Sequence, residues 1–246
     1  MKNRVNIREK LDRAIKRKNF RTVDLFSGCG GLTLGFHRAG FHCVAGVEID
    51  DDARSSHKVN FSKKYNNDSY KAFRDITKIE PDETVRHIEP LFPDLIDNHI
   101  DLVVGGPPCQ AFSRLGRAAL WRLAGRDHAH ADDERATMYE RFLRYIARLK
   151  PLAFVMENVR EIGKFVGRNV AEEIALSASD LGYNTRYTIL NAEWNGVPQM
   201  RERLFIVGIH KDLHIIPRFP DIEYKYDLPV GYSTSRAGTG HIEVLE

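Results

Sequence analysis

The sequence predicts an α/β protein built on a mostly parallel, doubly wound sheet. Two observations predict this class. Short apolar runs alternate with stretches in which apolar residues recur at helical spacing, and glycine-rich or acidic turns follow several of the apolar runs. Such alternation is typical of parallel strands whose connecting helices cover both faces of the sheet. With 246 residues, the chain is long enough for one large domain of this class or for two small ones.

The individual elements can be placed in order along the chain. An amphipathic helix, with Ile7, Leu11, Ala14 and Ile15 on one face, leads into the first strand. The strand candidates are Thr22–Phe26, Cys43–Glu48, Leu102–Val104, Ala153–Met156, Thr185–Leu190 and Leu204–Ile209. The helix candidates are Leu32–Arg38, Asp51–Asn60, Thr137–Leu149 and Val170–Leu181.

One long connection interrupts this pattern. Between Phe112 and Thr137 the sequence mixes Arg, Gly, His and Asp without a strand pattern, and connections of this length are usually functional or disordered. We divide the chain into a basic N-terminal helix (1–20), a main domain (21–210) and an irregular C-terminal tail (211–246).

Composition excludes several classes of protein. The hydrophobic share of 42% and the charged share of 29% are those of a soluble globular protein. The sequence contains no apolar run of membrane-spanning length, and its amino terminus lacks the apolar core of a signal peptide. Three cysteines without paired spacing argue against a disulfide framework and against a zinc site. We therefore expect no metal, and a cytoplasmic location in which the thiols stay reduced.

Positive charge is concentrated in two places, although the net charge is only +3. Residues 2–18 contain eight Lys or Arg against two acids, and four arginines between 114 and 126 precede the first acid of their segment. Such local excess suits a phosphate backbone. For the N-terminal run alone, a solvated helix face is the favoured interpretation.

A cysteine follows a strand and two prolines, in the segment Asp101–Ser113. The carboxyl ends of parallel strands are where open α/β sheets bind ligands, and Pro107 and Pro108 restrict the backbone just before Cys109. This placement suits a nucleophile. A small apolar residue in a tight turn is the alternative, because free cysteines are usually buried and inert.

A glycine-rich turn follows the first strand, with glycines at 28, 30, 31 and 35. This is not the dinucleotide G-x-G-x-x-G spacing, but it lets the N–H groups of a helix amino terminus approach a ligand. Glu48 follows at the end of the second strand, about 20 residues on, where an acid can hydrogen-bond ribose hydroxyls. Together these features indicate an adenosine-containing cofactor, with a plain tight turn as the alternative.

Three further polar positions lie near strand ends. Asp75 can accept a hydrogen bond from an adenine amino group, or Asp75 or Thr77 can cap a helix. Glu157 ends an apolar strand, where it can serve as a proton donor or cap the next helix. Arg201 and Arg203 point to the same side at the start of a strand, where they can recognise a carbonyl or phosphate or form salt bridges.

Taken together, these segments resemble the DNA cytosine-5 methyltransferases in order and spacing, from about Thr22 to Ile209. The most specific combination is Pro107–Ser113 with Glu157–Val159 and Gln199–Arg203. The resemblance implies a Rossmann-like S-adenosylmethionine-dependent methyltransferase fold and makes the main domain the catalytic and cofactor-binding unit.

The resemblance also implies roles for single residues at the target base. Cys109 would be the nucleophile that attacks C6 of cytosine, and Glu157 would contact N3 and the exocyclic amine. Arg203 would hold the O2 carbonyl, with Arg201 and Ser113 supporting the site or the phosphates. Thiolate attack at C6 makes C5 an enamine carbon that takes the methyl group, and loss of the C5 proton then expels the cysteine.

For S-adenosylmethionine, the resemblance implies that Phe26 stacks on the adenine, that Glu48 binds the ribose and that Asp75 binds the amino group. Ile49 and Ile76 would pack against the ring. The full set of cofactor residues is Phe26, Ser27, Gly28, Gly30, Gly31, Glu48, Ile49, Asp75, Ile76, Pro107 and Met138.

The implied partner is double-stranded DNA, whose target cytosine must leave the stacked helix before C6 can be reached. Gln110, Arg114 and Arg117 would contact the DNA, and the segment from Arg114 to Arg126 would be a loop that closes over the flipped base.

The family normally continues with a target recognition domain and two further motifs, but only residues 210–246 follow Ile209. We therefore expect the larger, catalytic subunit of a split prokaryotic enzyme, in heterodimer with a second subunit. Its open cofactor side and its tail beyond Pro217 should present apolar surface. A restriction–modification role fits this expectation. The alternatives are a truncated piece, a minimal enzyme, or an inactive or weakly active fragment that binds cofactor and DNA.

An RNA cytosine-5 methyltransferase is a closer rival. The tRNA-acting branch of the family usually carries Cys-Phe-Thr beyond its catalytic segment, and that tripeptide does not occur in this sequence. A nicotinamide dehydrogenase would use the glycine turn but not Pro-Pro-Cys-Gln.

Overall fold

The computed structural model describes residues 6–64, 70–88, 90, 100–108, 138–164 and 169–220. In chain order, the elements are α1 (Ile7–Arg17), β1 (Phe20–Leu25), α2 (Gly31–Arg38), β2 (Phe41–Val47), α3 (Asp51–Lys58), β3 (Lys71–Phe73), α4 (Pro81–Ile88), β4 (Leu102–Gly105), α5 (Met138–Leu149), β5 (Ala153–Asn158), α6 (Val170–Asp180), β6 (Tyr183–Asn191) and β7 (Glu202–His210). A π-helical turn (Val59–Lys64) extends α3, and 3₁₀ turns occupy Arg160–Lys164, Ala192–Asn195 and Lys211–Leu213.

The strands form one seven-stranded sheet in the order β3-β2-β1-β4-β5-β7-β6. The pairs from β3 across to β5 are parallel, whereas β7 runs antiparallel to both of its neighbours, β5 and β6. The predicted α/β class with a mostly parallel sheet is therefore confirmed. The strand order reverses at β1, so the carboxyl ends of β1 and β4 border the crevice where such sheets bind ligands.

Each predicted strand and helix overlaps an observed element, but two elements were not predicted. β3 has only three residues, Lys71–Phe73, which is too short to show an alternating pattern. α4 begins at Pro81, with Asp82 and Glu83 in its first turn. Proline at the first helical position followed by acids is a recognised helix start, so a sequence signal for this helix was present.

Helices pack on both faces of the sheet because the central strands β1, β2 and β4 bury consecutive residues, whose side chains point to opposite faces. α4, α5 and α6 adjoin one another, and their apolar residues join β1, β4 and β5 in the largest core cluster. Phe142, Tyr145 and Ile146 of α5 are fully buried in it. On the opposite face, α2 and the π-helical turn cover a smaller cluster formed by Cys43, Phe61 and Tyr70.

α1 packs at the amino-terminal side of the sheet, away from the carboxyl ends of the strands. Ile7 and Ala14 contact Leu152, which lies just before β5. The Lys10 ammonium group is buried and donates to the carbonyls of Leu149 and Lys150, at the end of α5, at 3.1 and 3.0 Å. Ile7, Leu11 and Ala14 thus pack in the core as predicted, whereas Ile15 is 55% exposed, because the residue next to Ala14 lies about 100° further round the helix.

In the tail, a 3₁₀ turn is followed by residues 214–220 without regular structure, and residues 221–246 lie outside the described part. Among the described residues, we find no helix with the length and apolar content needed to cross a lipid bilayer. The same residues contain no group of three or more His, Cys, Asp or Glu side chains arranged to hold a metal ion.

Candidate active site

The polar residues predicted at strand ends meet along one edge of the sheet. The parallel strands β1, β2, β4 and β5 all end at this edge. β7 runs the other way, and Asn158 at the end of β5 pairs with Leu204 near the start of β7. Arg203 therefore lies at the same edge as Glu157, although 46 positions separate the two in the sequence (203 minus 157).

The turn after β1 is tight, as its glycines predicted. Phe26 has a φ of 60°, a left-handed conformation that is uncommon for a bulky residue. Gly30 has a φ of 97° and donates its N–H to the Ser27 carbonyl at 2.9 Å, and α2 begins at the next residue. We call Phe26–Gly31 the glycine-rich turn. Backbone strain of this kind is common where a chain is shaped around a ligand.

Glu48, the residue after β2, is hydrogen-bonded to this turn. Its Oε2 accepts from the Gly28 N–H at 2.8 Å, and its Oε1 accepts from the Asp50 N–H at 2.9 Å. The next residue, Ile49, is 64% exposed, which is unusual for a large apolar side chain beside a strand end. The acid, the exposed apolar side chain and the turn lie together, as expected for a site that binds an adenosine group.

Asp75 caps its own turn. Its Oδ1 accepts from the N–H and the hydroxyl of Thr77 at 2.9 and 2.7 Å. The hydrogen bond from the Thr77 side chain is the main cause that holds the pKa of Asp75 below its usual range. Residues 76–78 form a turn and the next helix begins only at Pro81, so Asp75 closes a turn and does not cap a helix. Ile76, the next residue, is buried in the largest core cluster, so Ile49 offers the more open apolar surface.

The segment after β4 is held against the end of β5. The Asn158 amide donates to the Pro107 carbonyl at 3.1 Å, and both residues are buried. A Cβ added to Gly106 would lie 3.0 Å from Oε2 of Glu157, so the absence of a side chain at Gly106 lets the carboxylate approach this segment. The sequence predicted no separate role for Asn158. An amide side chain at the end of an apolar strand was the available signal.

Several predicted residues lie outside the described part of the chain. They are Cys109, Gln110, Ser113, Arg114 and Arg117, together with the rest of the long connection from Phe112 to Thr137. Met138, the last of the predicted cofactor residues, is the first residue of α5 and packs half-buried against the largest core cluster.

Glu157 forms ion pairs with both predicted arginines. Its Oε1 lies 3.0 Å from Nε of Arg203 and 3.7 Å from Nη2 of Arg201. The Glu157 and Arg203 side chains are 22% and 25% exposed, whereas the Arg201 side chain is 47% exposed. The two arginines do point to the same side, as predicted. The Glu157 carboxylate and the Arg203 guanidinium thus lie side by side at the site, and both remain accessible to a ligand.

This fold, with its glycine-rich turn and its β2 acid at the carboxyl edge, defines the class of S-adenosylmethionine-dependent methyltransferases. A family model for C-5 cytosine-specific DNA methylases matches residues 20–235. The chain belongs to this family.

Individual relatives agree. M.OihORF3336P of Oceanobacillus iheyensis, assigned as a type II methyltransferase, is 38% identical over 203 residues, which are 82% of this chain and 42% of that protein. The type II methyltransferase M.AquIA of Picosynechococcus sp. is 36% identical over 196 residues, 76% of this chain and 70% of that protein. The chain spans about half the length of each of the first four curated relatives that it matches.

A solved structure is also similar. It is assigned as a DNA modification methyltransferase encoded within a prophage of Escherichia coli. The two proteins share 30% sequence identity and superpose with a TM-score of 0.61, over 82% of this chain and 52% of that one.

The family implies S-adenosylmethionine as the methyl donor. The residues at the edge fit this group. Glu48 keeps lone pairs on both oxygens beyond its two backbone bonds, and a carboxylate so placed suits ribose hydroxyls. The exposed Ile49 side chain gives apolar surface for a flat ring.

Proposed function

We propose that this chain is the catalytic part of an enzyme that methylates C5 of cytosine in double-stranded DNA. The ion pair between Glu157 and Arg203 carries this proposal. It places a carboxylate and a planar guanidinium 3.0 Å apart at the edge that also holds the glycine-rich turn. Cytosine presents an acceptor at O2 and a ring nitrogen at N3, so a paired acid and guanidinium can read both.

We assign the base-binding roles as follows. Arg203 donates to O2 of the cytosine, and Glu157 contacts N3 and the exocyclic amine. Protonated Glu157 can give N3 a proton or a hydrogen bond as negative charge develops in the ring. Arg201 is more exposed and farther from Glu157, which suits a supporting role or a phosphate contact.

The nucleophile in this proposal is Cys109, the residue after Pro108. The Cys109 thiolate forms a bond to C6, and the electron pair of the C5–C6 double bond moves through the ring to N3, where Glu157 supplies a proton. C5 becomes an enamine carbon and takes up a methyl group as a cation. The donor sulfur keeps the electron pair of its bond to the methyl group. A base then takes the C5 proton, whose bonding pair reforms the C5–C6 double bond while the thiolate departs, and N3 returns its proton to Glu157.

When bound, S-adenosylmethionine supplies an activated methyl group on a positively charged sulfur. In our proposal Glu48 binds its ribose, Phe26 and Ile49 flank its adenine, and the N–H groups at the start of α2 face it. Asp75 contributes through its second oxygen, because Oδ1 already accepts two hydrogen bonds from Thr77.

The target base must be turned out of the duplex, since C6 is inaccessible inside a stacked helix. We assign Gln110, Ser113, Arg114 and Arg117 to DNA contacts at this step, because they directly follow Cys109 in the sequence and include positive charge.

A target recognition part outside residues 1–246 completes the enzyme in our proposal, as a second subunit. The chain spans about half of most of its curated relatives, yet 70% of M.AquIA, so one relative is itself much shorter than the others. Exposed apolar side chains at the start of the tail and on α6 also support this idea, because Ile215, Ile216 and Leu176 are 49%, 58% and 62% exposed. The bacterial type II relatives favour a restriction–modification role in a prokaryotic cytoplasm.

The test is transfer of labelled methyl from S-adenosylmethionine to duplex DNA, using this chain co-expressed with the neighbouring reading frame. We expect methyl transfer by the two co-expressed chains, none when this chain carries Cys109→Ala, and little by the wild-type chain alone. Transfer to tRNA but not to DNA would establish the RNA alternative. Efficient, sequence-specific transfer by the isolated chain would refute the second subunit.

A further inference from the structure

A row of four buried polar side chains lies behind the glycine-rich turn. We call Tyr70, His57, Thr33 and Asp24 the relay. Tyr70 O–H lies 2.5 Å from Nδ1 of His57, and Nε2 of His57 lies 2.9 Å from the Thr33 hydroxyl. The Thr33 hydroxyl in turn lies 2.5 Å from Oδ2 of Asp24. The four residues come from β1, α2, α3 and the segment before β3, so the relay joins four separate parts of the chain.

When Asp24 is ionised, the hydrogen bonds of the relay run in one direction. Thr33 has a single hydroxyl proton, and its nearest acceptor is the Asp24 carboxylate. The Thr33 oxygen is then left to accept, so Nε2 of His57 carries the ring proton. Nδ1 of the neutral ring then accepts from the Tyr70 hydroxyl. The Thr33 hydroxyl also lies 3.8 Å from Sγ of Cys43, which is a weaker acceptor than the carboxylate, so this arrangement favours one packing of the four elements.

The relay is in contact with the backbone that forms the turn. A Cβ added to Gly30 would lie 2.8 Å from Cδ2 of His57 and 2.3 Å from the Phe61 ring. A Cβ added to Gly46 would lie 2.4 Å from the Tyr70 hydroxyl and 3.1 Å from Oγ of Ser27. The relay and its neighbours therefore fill the space behind Gly30 and Gly46. Glu48 holds the front of the same turn through Gly28.

Burying a polar network of this kind costs desolvation free energy. Apolar residues of similar volume are often equally stabilising or better, so a buried polar network is more useful where one geometry must be specified. Gly30, the N-cap residue of α2, has no side chain to cap the helix. Thr33, in the first turn of α2, is instead held by Asp24 of β1.

We propose that His57 and Tyr70 are positioning residues, which act through Thr33 to set the glycine-rich turn in the geometry that binds S-adenosylmethionine. They do not contact the cofactor themselves. This inference rests on the proposed cofactor site and deepens it. It predicts that loss of one hydroxyl from the relay weakens cofactor binding, although the altered side chain lies behind the turn.

The test uses matched variants of the whole chain. Thr33→Val removes the hydroxyl at almost constant volume, whereas Thr33→Ser retains it. Tyr70→Phe removes the other hydroxyl and leaves the ring. Calorimetric titration with S-adenosylmethionine should show about 10-fold weaker binding for Thr33→Val and Tyr70→Phe, the loss typical of one buried hydrogen bond. Thr33→Ser should bind within about twofold of wild type.

Amide hydrogen exchange separates positioning from general destabilisation. In Tyr70→Phe we expect faster exchange in peptides that cover the glycine-rich turn and the start of α2, with the strands β4 and β5 unchanged. Faster exchange over the whole core, or unchanged affinity in Thr33→Val and Tyr70→Phe, would overturn the inference. If the wild-type chain itself fails to bind S-adenosylmethionine, the proposed cofactor site is wrong, and the inference falls with it.

Discussion

Glu157 and Arg203 lie side by side, with 3.0 Å between Oε1 of the acid and Nε of the arginine. The antiparallel pairing of β5 and β7 makes this possible, because it returns the start of β7 to the end of β5. Each side chain is about one quarter exposed, so the pair contributes little to stability and remains open to a ligand. We therefore expect its replacement to affect chemistry more than folding.

The first prediction concerns the charge of Glu157. In the co-expressed pair, Glu157→Gln keeps the shape but cannot supply a proton, so methyl transfer to DNA should fall by about 10²-fold or more. The matched control is Glu202→Gln, which removes the partner of Arg160, 2.5 Å away at the surface. Transfer rates should stay within about twofold of wild type for the control. Equal rates for wild type and Glu157→Gln would exclude Glu157 from the reaction.

The second prediction separates the two arginines. Lysine keeps the positive charge but lacks the planar fork, so Arg203→Lys should lower methyl transfer about 10-fold or more. Arg201→Lys should lower it less than about threefold, because Arg201 is nearly half exposed and lies 3.7 Å from Glu157. The measurement is the initial rate at saturating cofactor. The reverse order of effects would reassign the base contact to Arg201.

The third prediction concerns pH and Asp24. Burial raises the pKa of Asp24 to about 7, and hydrogen bonds from Thr33 oppose that shift. The folded state therefore binds more protons than the unfolded state between pH 4 and 7, and this contribution to stability is lost as the pH rises through that window. Asp24→Asn should abolish this loss, which amounts to as much as ~1.4 kcal/mol per pH unit.

The control for this prediction is His57, whose titration has the opposite sign. Burial lowers the pKa of His57 to about 4, so its contribution to stability rises with pH between about 4 and 6.5. In wild type the two slopes oppose each other. Urea unfolding at pH 4.5, 5.5 and 6.5 should therefore show stability rising more steeply with pH in Asp24→Asn than in wild type. Parallel profiles for the two proteins would contradict the raised pKa of Asp24.

The fourth prediction concerns Lys10, whose ammonium group donates to the end of α5. Burial is the main cause that lowers the pKa of Lys10 to about 7. The unfolded state then binds more protons between pH 7 and 10.5, so this group makes stability rise with pH in that window. Lys10→Met should remove the rise between pH 7.5 and 9.5 in urea unfolding, and leave S-adenosylmethionine affinity within about twofold. If Lys10→Met kept the wild-type slope of stability against pH, the lowered pKa of Lys10 would be refuted.

Much of the architecture could be predicted because its signals are local. The strands from Thr22–Phe26 to Leu204–Ile209 and the helix Val170–Leu181 were each recognised from their own apolar periodicity. β3 could not be recognised, since three residues carry no period. The antiparallel direction of β7 was also not predicted, because direction depends on how the chain returns between strands rather than on the strand's own residues.

For the candidate site, the sequence by itself determined which residues we assign to the chemistry: Glu48 and Glu157 at strand ends, the arginine pair at the start of β7, and the glycines after β1. Only the tertiary structure decided which of them meet. It paired Glu157 with Arg203, joined Glu48 to Gly28, and brought Asp24, Thr33, His57 and Tyr70 into one row. The physical reason is that hydrogen bonds and ion pairs depend on distances of about 3 Å between groups distant in sequence, and sheet order and helix packing set those distances.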